Sequence, residues 1–70
     1  MENDKYFIET KITGYEKGVW TVEECVFIKK GKEHRVKRVG YNITGKRVYT
    51  GDKVIVHLRN GFIPVIDQKI

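Results

Sequence analysis

Apolar and polar residues alternate over short stretches of the chain, and seven glycines separate these stretches. β-Branched and aromatic side chains dominate the apolar positions, as they do in strands that pack one face of a sheet. No stretch of ten or more residues has apolar residues at the 3.6-residue spacing of an amphipathic helix. The pattern therefore predicts an all-β protein in which short strands are joined by turns.

The first two strands are predicted at residues 5–13 and 19–30. Alternation places four residues on one face of the first strand: Tyr6, Ile8, Thr10 and Ile12. Residues 14–18, with glycine at both ends, are predicted to form the hairpin loop. The second strand has apolar residues on both faces around Glu23-Glu24, which predicts a β-bulge that shifts the register there.

Three further strands are predicted at residues 33–39, 53–59 and 62–67. The third strand is basic and is expected to be an edge or a ligand-facing strand. Asn60-Gly61 predicts a two-residue type I′ turn between the last two strands. Pro64 lacks a backbone donor, so the last strand is expected at a sheet edge.

The segment between the third and fourth strands, residues 40–51, is the least regular part of the chain. Its glycines and Asn42 indicate turns, and it is predicted to form no full helix. Arg47-Val48-Tyr49 is predicted to add a short strand within it.

The length limits the fold to one small domain spanning residues 1–70, with residues 1–4 expected to be disordered. Such a chain buries only about 60% of its unfolded surface, so its core is thin. Cys25 is the one cysteine, which excludes an internal disulfide. Stability must come from packing, from closure of the sheet or from a partner subunit, and a small five-stranded antiparallel β-barrel meets these constraints.

Three segments carry a resemblance to known families: Gly18–Val22, Tyr49–Val56 and Gly61–Ile66. With the order of strands and turns, they resemble the oligonucleotide/oligosaccharide-binding (OB) fold, and in particular S1-type RNA-binding domains and bacterial translation initiation factor one. In those families a Gly-Asp pair precedes the fourth strand, as Gly51-Asp52 does here. The resemblance implies an OB-like barrel that binds its ligand on strands two and three and the adjacent loops; an SH3-like barrel is the alternative.

The net charge of +5 is concentrated in the middle of the chain, where residues 29–48 carry eight basic residues against Glu33, a net charge of +7. Such asymmetry indicates a polyanionic partner. A second interpretation is that these lysines protect an exposed edge strand from aggregation.

Basic and aromatic residues of this segment form the candidate nucleic-acid-binding site. The site comprises Lys29, Lys30, Lys32, Arg35, Lys37, Arg38, Tyr41, Lys46, Arg47 and Tyr49. Cations that follow phosphates and rings that stack on bases are the chemistry of single-strand and RNA binding. Tyr41 and Tyr49 are expected to be the exposed rings, whereas Trp20 is expected to anchor the core, because a thin core needs large aromatics.

The sequence contains no clear pattern of catalytic residues or metal ligands. Neither His34 nor His57 has a paired nucleophile, and Cys25 is expected to be a small buried hydrophobe. The spacing of these residues matches no zinc pattern, and the glycines form no phosphate-binding loop. The chain is therefore predicted to be a non-enzymatic module without cofactor or metal.

The remaining expectations concern location and partners. No apolar run approaches the roughly 20 residues that cross a membrane, and the polar, acidic N-terminus does not resemble a signal peptide, so the cytoplasm is the expected location. The alternative function is a protein-interaction or assembly subunit, such as a phage structural or adaptor protein, in which an oligomer is possible. Its support is the small size, the strand edge near Pro64 and the apolar residues on both faces of the second strand.

Overall fold

A computed structural model describes residues 6–60 and 62–70, which form a five-stranded sheet. The strands are β1 (Phe7–Glu16), β2 (Val19–Lys29), β3 (Lys32–Val39), β4 (Lys53–Arg59) and β5 (Ile63–Lys69). Every neighbouring pair is antiparallel, and the order across the sheet is β3-β2-β1-β4-β5. The predicted all-β class and the five antiparallel strands are confirmed; the disorder expected for residues 1–4 lies outside the described residues.

The first four strands follow a Greek-key path. Tight turns join β1 to β2 and β2 to β3, and β4 then returns through residues 40–52 to lie beside β1. This gives the spatial order 4-1-2-3 that defines the motif. The long connection therefore crosses from one edge of the sheet towards its centre.

The two edge strands, β3 and β5, approach each other without forming a ladder in the described part of the chain. Just after β3, a parallel bridge joins Asn42 to Ile66 of β5. Two backbone hydrogen bonds accompany it: Ile66 N–H donates to the Tyr41 carbonyl at 2.8 Å, and Ile43 N–H donates to the Ile66 carbonyl at 3.0 Å. A closed barrel is not detected, and the sheet curls so that one short bridge joins its two sides.

The β1–β2 hairpin is tighter than the sequence predicted. Strand β1 continues through Gly14 to Glu16, so the predicted five-residue loop is wrong. Glu16 pairs with Val19, which leaves Lys17-Gly18 as a two-residue turn. Both turn residues have positive φ, 52° and 81°, as a type I′ turn requires; the strands continue because Tyr15 finds a cross-strand partner.

The predicted bulge in β2 is confirmed. The β2–β3 register shifts between the pairs Thr21–Arg38 and Cys25–Val36, so three residues of β2 lie opposite one residue of β3. Val22 is buried before the shift, and Cys25 and Phe27 are buried after it. The strand therefore changes the face that it presents to the core at Glu23-Glu24.

One local prediction before β4 is wrong, and the bounds of β5 differ slightly from the prediction. Residues 47–49 form no strand, because Val48 is buried in the core instead of pairing with a neighbouring strand. Arg59 pairs with Ile63, so β5 begins one residue later than predicted and ends two residues later, at Lys69. The predicted two-residue turn includes Gly61, which lies outside the described residues; Asn60 has a positive φ of 55°, as a type I′ turn requires. Phe62 N–H donates to the Arg59 carbonyl at 3.1 Å, the hydrogen bond expected across a two-residue turn. Strand β4 has the predicted bounds, and β5, which carries Pro64, is an edge strand as predicted.

The core consists of apolar side chains from all five strands and from the long connection. Its buried members are Ile12, Val22, Cys25, Phe27, Val39, Val48, Val54, Val56, Leu58 and Ile66. Cys25 is fully buried, as expected for a small hydrophobe, and Trp20 packs against the core while remaining partly exposed.

One buried polar contact supports the bulge. The Thr10 hydroxyl of β1 is buried and donates to the Glu23 carbonyl at 2.8 Å, and the Cys25 thiol lies 3.5 Å from the same oxygen. The bulge removes the ladder around Glu23, and a buried carbonyl without a donor costs free energy. Thr10 thus supplies the hydrogen bond that the interrupted ladder does not.

We expect Thr10→Val to lower the free energy of unfolding by about 1–3 kcal/mol, because valine fills the space without donating to the Glu23 carbonyl. Urea unfolding followed by Trp20 fluorescence would measure the loss. Thr13, three residues along the same strand, is exposed and donates only to the Thr21 hydroxyl, at 3.2 Å, where water can replace it. It provides the matched control, and Thr13→Val should change stability by less than about 0.5 kcal/mol. Equal effects of the two substitutions would contradict a special role for the Thr10 hydroxyl.

Candidate functional site

A groove lies between the end of the β1–β2 hairpin and the connection from β3 to β4. It has a volume of about 400 Å³, and aromatic and basic side chains line it. The lining residues are Tyr15, Trp20, Asn42, Lys46, Arg47, Val48, Tyr49 and Thr50. We call this feature the aromatic groove.

The hairpin wall of the aromatic groove is a pair of rings. Tyr15 and Trp20 are directly opposite each other in the β1–β2 register, and their ring centroids are 5.0 Å apart at an angle of 50°. The turn at Lys17-Gly18 brings them together, since it extends both strands beyond the core. Tyr15 is 59% exposed, whereas Trp20 is partly buried against the core, so one ring is held and the other is accessible.

The opposite wall is held by a cluster of hydrogen bonds around Asn42. Its Nδ2 donates to the Lys46 carbonyl at 2.7 Å, and its Oδ1 accepts from the Thr44 N–H at 3.0 Å. The Thr44 hydroxyl donates to the same Oδ1 at 2.6 Å and accepts from the Lys46 N–H at 2.9 Å. These contacts fix the turn before Lys46 and Arg47, so the backbone that carries the two cationic side chains is held in place.

A second set of contacts holds the end of this wall at Tyr49. The Tyr49 N–H donates to Asp52 Oδ2 at 2.8 Å, and Gly51 N–H donates to the Ile12 carbonyl of β1 at 2.8 Å. Lys69 Nζ lies 3.3 Å from Asp52 Oδ2 and donates to the Arg47 carbonyl at 3.3 Å. Strands β1 and β5 therefore both fasten the segment that carries Arg47 and Tyr49.

The electrostatic character of the aromatic groove is positive. Lys46 and Arg47 are exposed, and within residues 6–60 and 62–70 neither is paired with a carboxylate. The nearby Asp52 carboxylate accepts a hydrogen bond from the Tyr49 N–H and pairs with Lys69. The groove thus presents two uncompensated cations beside an exposed Tyr49 ring.

Three of the ten predicted site residues line this groove: Lys46, Arg47 and Tyr49. Tyr41 is exposed, as expected, but it lines a different groove with Ile43, Ile63 and Arg59. Lys37 and Arg38 border a shallow depression between β3 and Pro64. The basic segment therefore divides among several surfaces.

The remaining predicted residues lie on the β2–β3 hairpin. Arg35 is paired with Glu24 and Glu33 at 3.2 and 3.3 Å, so its charge is largely compensated. Lys29 Nζ lies 3.6 Å from the centre of the Phe62 ring. Lys30 occupies the turn with a φ of 51°, and Lys32 is exposed beside it.

Sequence reasoning missed Tyr15 and undervalued Trp20 as groove residues. Tyr15 was expected in a loop, and Trp20 in the core. The signal that could have identified the pair is Lys17-Gly18, because a two-residue turn there puts Tyr15 directly across from Trp20.

Other reactive side chains lie apart from the groove. Burial raises the pKa of the Cys25 thiol above its usual value, which outweighs the opposing effect of the nearby Thr10 hydroxyl, and the Glu24 charge raises it further. The thiolate that nucleophilic chemistry requires is therefore disfavoured at this position. In the described part of the chain, no three His, Cys, Asp or Glu side chains are grouped as metal ligands would be.

Comparison with known proteins identifies no relative. No family model matches the chain, and no curated protein and no solved structure is significantly similar to it. The described residues contain no helix that is long and apolar enough to cross a membrane. Function must therefore be argued from the geometry of the chain itself.

The contact between Tyr49 and Asp52 predicts a specific pH dependence of stability. The hydrogen bond from the Tyr49 N–H holds the pKa of the Asp52 carboxyl below its usual value of 3.8; the loss of hydration opposes this, and Lys69 lowers the pKa further. A depressed folded-state pKa contributes stability above the unfolded value, and that stability is lost as the pH falls through the folded value. We expect Asp52→Asn to lower the melting temperature at pH 6, with the difference from the unmodified chain shrinking below about pH 4.

Thermal unfolding followed by circular dichroism between acidic and neutral pH would measure this difference. The exposed Glu16, at the end of β1, supplies the control, since Glu16→Gln removes a carboxylate without touching the groove wall. A deficit of Asp52→Asn that stays constant across the pH range would show that the charge of Asp52 is unimportant.

Proposed function

We propose that the chain is a non-catalytic module that binds single-stranded nucleic acid, RNA or DNA, in the aromatic groove. The observation that carries the proposal is the placement of Lys46 and Arg47, which pair with no carboxylate of the described residues, beside the rings of Tyr15, Trp20 and Tyr49. Single strands are bound by this combination, because cations attract the phosphates and rings stack on the bases.

The division of the rings between the two walls suits an extended strand. Tyr15 and Tyr49 are 59% and 58% exposed, so each offers a face on which a base can stack. Trp20 supports Tyr15 from the core side. Lys46 and Arg47 lie on the wall that also carries Tyr49, which would place the phosphates on the side of the groove formed by the long connection.

The preordered backbone of the groove also supports the proposal. Binding costs less when the contacting groups are already held in place. Asn42 fixes the turn before Lys46, and Lys69 bonds to the Arg47 carbonyl. Both walls are therefore attached to the sheet at several points.

We further propose that the sheet is a partly open OB-type barrel, as the sequence resemblance suggested. Three features support this: the five strands, the Greek-key order, and the short parallel bridge from Asn42 to β5. OB folds are partly open Greek-key barrels that bind oligonucleotides on strands two and three and the neighbouring loops. The aromatic groove lies at the start of β2 and along the connection that follows β3.

The two exposed tyrosines allow a matched test of base stacking. We expect Tyr49→Ala to weaken binding of a fluorescein-labelled oligo(U) or oligo(dT) by about 5- to 150-fold, since one base stack is worth about 1–3 kcal/mol. Tyr41→Ala is the control, because Tyr41 is equally exposed, at 60%, and lies outside the aromatic groove. Fluorescence anisotropy would measure both affinities; equal losses would contradict the proposed location.

The cations allow a second, independent test through salt dependence. Each phosphate contact on a single strand contributes about −0.7 to the slope of log K against log salt concentration. Replacing both Lys46 and Arg47 by alanine should therefore reduce the slope by about 1.4, whereas Lys32→Ala should leave it unchanged. The proposal fails if the unmodified chain shows no binding at about 50 mM salt, where phosphate contacts are strong.

A further inference from the structure

The face of β1, β4 and β5 that points away from the core is apolar at its centre. Phe7, His57 and Val65 lie directly opposite one another in the registers of the three strands. Phe7 and His57 stack with their ring centres 4.2 Å apart and an interplanar angle of 4°. Since the neighbouring residues Val56 and Leu58 point into the core, alternation places this row on the outside.

This apolar row continues onto the segment that bridges to β5. Tyr41 and Ile43 form a groove of about 300 Å³ with Ile63 and Val65 of β5. Val65 is buried although it lies on the outer face and not in the core cluster. We call the row and this groove together the outer patch.

The apolar residues of the outer patch are more exposed than the core packing requires. Phe7 and Tyr41 are each 60% exposed, Ile43 is 47% exposed and Ile63 is 42% exposed. Contiguous exposed apolar side chains mark surfaces that bind another protein. Three of the six residues that line the groove, Ile43, Ile63 and Val65, are aliphatic, and Tyr41 is the aromatic member. The aliphatic side chains provide no platform for the stacking of bases.

The charges around the outer patch are mostly positive. The outer faces of β1 and β4 carry three basic residues, Lys11, Lys53 and Arg59, and one acidic residue, Glu9. Lys11 and Lys53 lie directly opposite each other, and like charges in such a pair repel. Among the residues that the structure describes, neither lysine is paired with a carboxylate, so an approaching acidic group would relieve this repulsion.

A second copy of the chain fits the outer patch poorly. A stable interface buries about 800 Å² on each partner. The molecule extends only 37 × 19 × 17 Å along its principal axes, and the patch is one part of its surface. Two copies would also bring their cationic borders together, which costs free energy.

We propose that the outer patch docks a segment of another protein that carries apolar anchor residues next to carboxylates. The anchors would contact the exposed Tyr41, Ile43 and Ile63 in the groove, and the carboxylates would pair with Arg59, Lys11 and Lys53. Apolar anchors in a pocket supply most of the affinity of such contacts, and charges at the border supply orientation. This surface is distinct from the aromatic groove, so one chain could join a protein to a single strand.

The test is a selection from a random 12-residue peptide library displayed on phage, with the whole chain as target. We expect the enriched peptides to combine at least two apolar residues with neighbouring aspartate or glutamate. Ile43→Glu and Lys53→Glu should each weaken their binding at least tenfold, as measured with synthetic peptides. Lys37→Glu makes the same change of charge on β3 and should leave the affinity within twofold.

Several results would overturn the proposal. The selection could enrich no peptide, or the enriched peptides could bind Ile43→Glu as tightly as the unmodified chain. Lys37→Glu could weaken peptide binding as much as Lys53→Glu does. An oligonucleotide could displace the bound peptides. A dimer in sedimentation velocity that Ile43→Glu dissociates would assign the patch to a second copy instead. Melting curves would check that each variant folds. Ile63→Glu changes the same groove from β5 and lies outside the aromatic groove, so its oligonucleotide affinity should stay unchanged, and failure here is separable from failure of the aromatic groove.

Discussion

The hydrogen bond between the Thr10 hydroxyl and the Glu23 carbonyl supports the feature on which the rest of the sheet depends. Strand β2 must supply Val22 to the core at one end and Cys25 and Phe27 at the other, and strict alternation forbids this. The register shift beside Glu23 resolves the conflict, and it leaves a carbonyl that needs a donor. Without the shift, one end of β2 would point its apolar side chains into solvent, and the thin core would lose their packing.

The bent sheet in turn creates the aromatic groove. Because β4 returns to lie beside β1, the long connection has to pass the exposed end of the β1–β2 hairpin. Val48 anchors the connection in the core, and Gly51 bonds to the backbone of β1. Tyr49 and Arg47, which are remote from Tyr15 in sequence, are thereby held across a groove from it.

The two surfaces of the molecule differ in chemistry as well as in place. The aromatic groove joins accessible rings to unpaired cations, which suits a polyanion with planar bases. The outer patch joins aliphatic and aromatic side chains to a cationic border, which suits an apolar segment with acidic neighbours. The strong positive charge of the middle third is thus shared among surfaces, and part of it, at Arg35, is neutralised by local glutamates.

Sequence alone determined the strand class, the bounds of β4, the bulge in β2, the edge position of Pro64 and the burial of Cys25. These features follow from the alternation of apolar and polar residues, from the missing backbone N–H of proline and from the turns that glycine permits. Each of these acts over only a few residues. The predicted five-residue hairpin loop was wrong because Tyr15 pairs with Trp20 across the hairpin. The strand predicted at residues 47–49 was wrong because Val48 is buried in the core. Only the tertiary structure decided which members of the basic segment meet the rings of Tyr15 and Trp20, since that depends on contacts between residues far apart in the chain. A linear run of charge does not specify a surface, because the fold distributes neighbouring residues to different sides of the sheet.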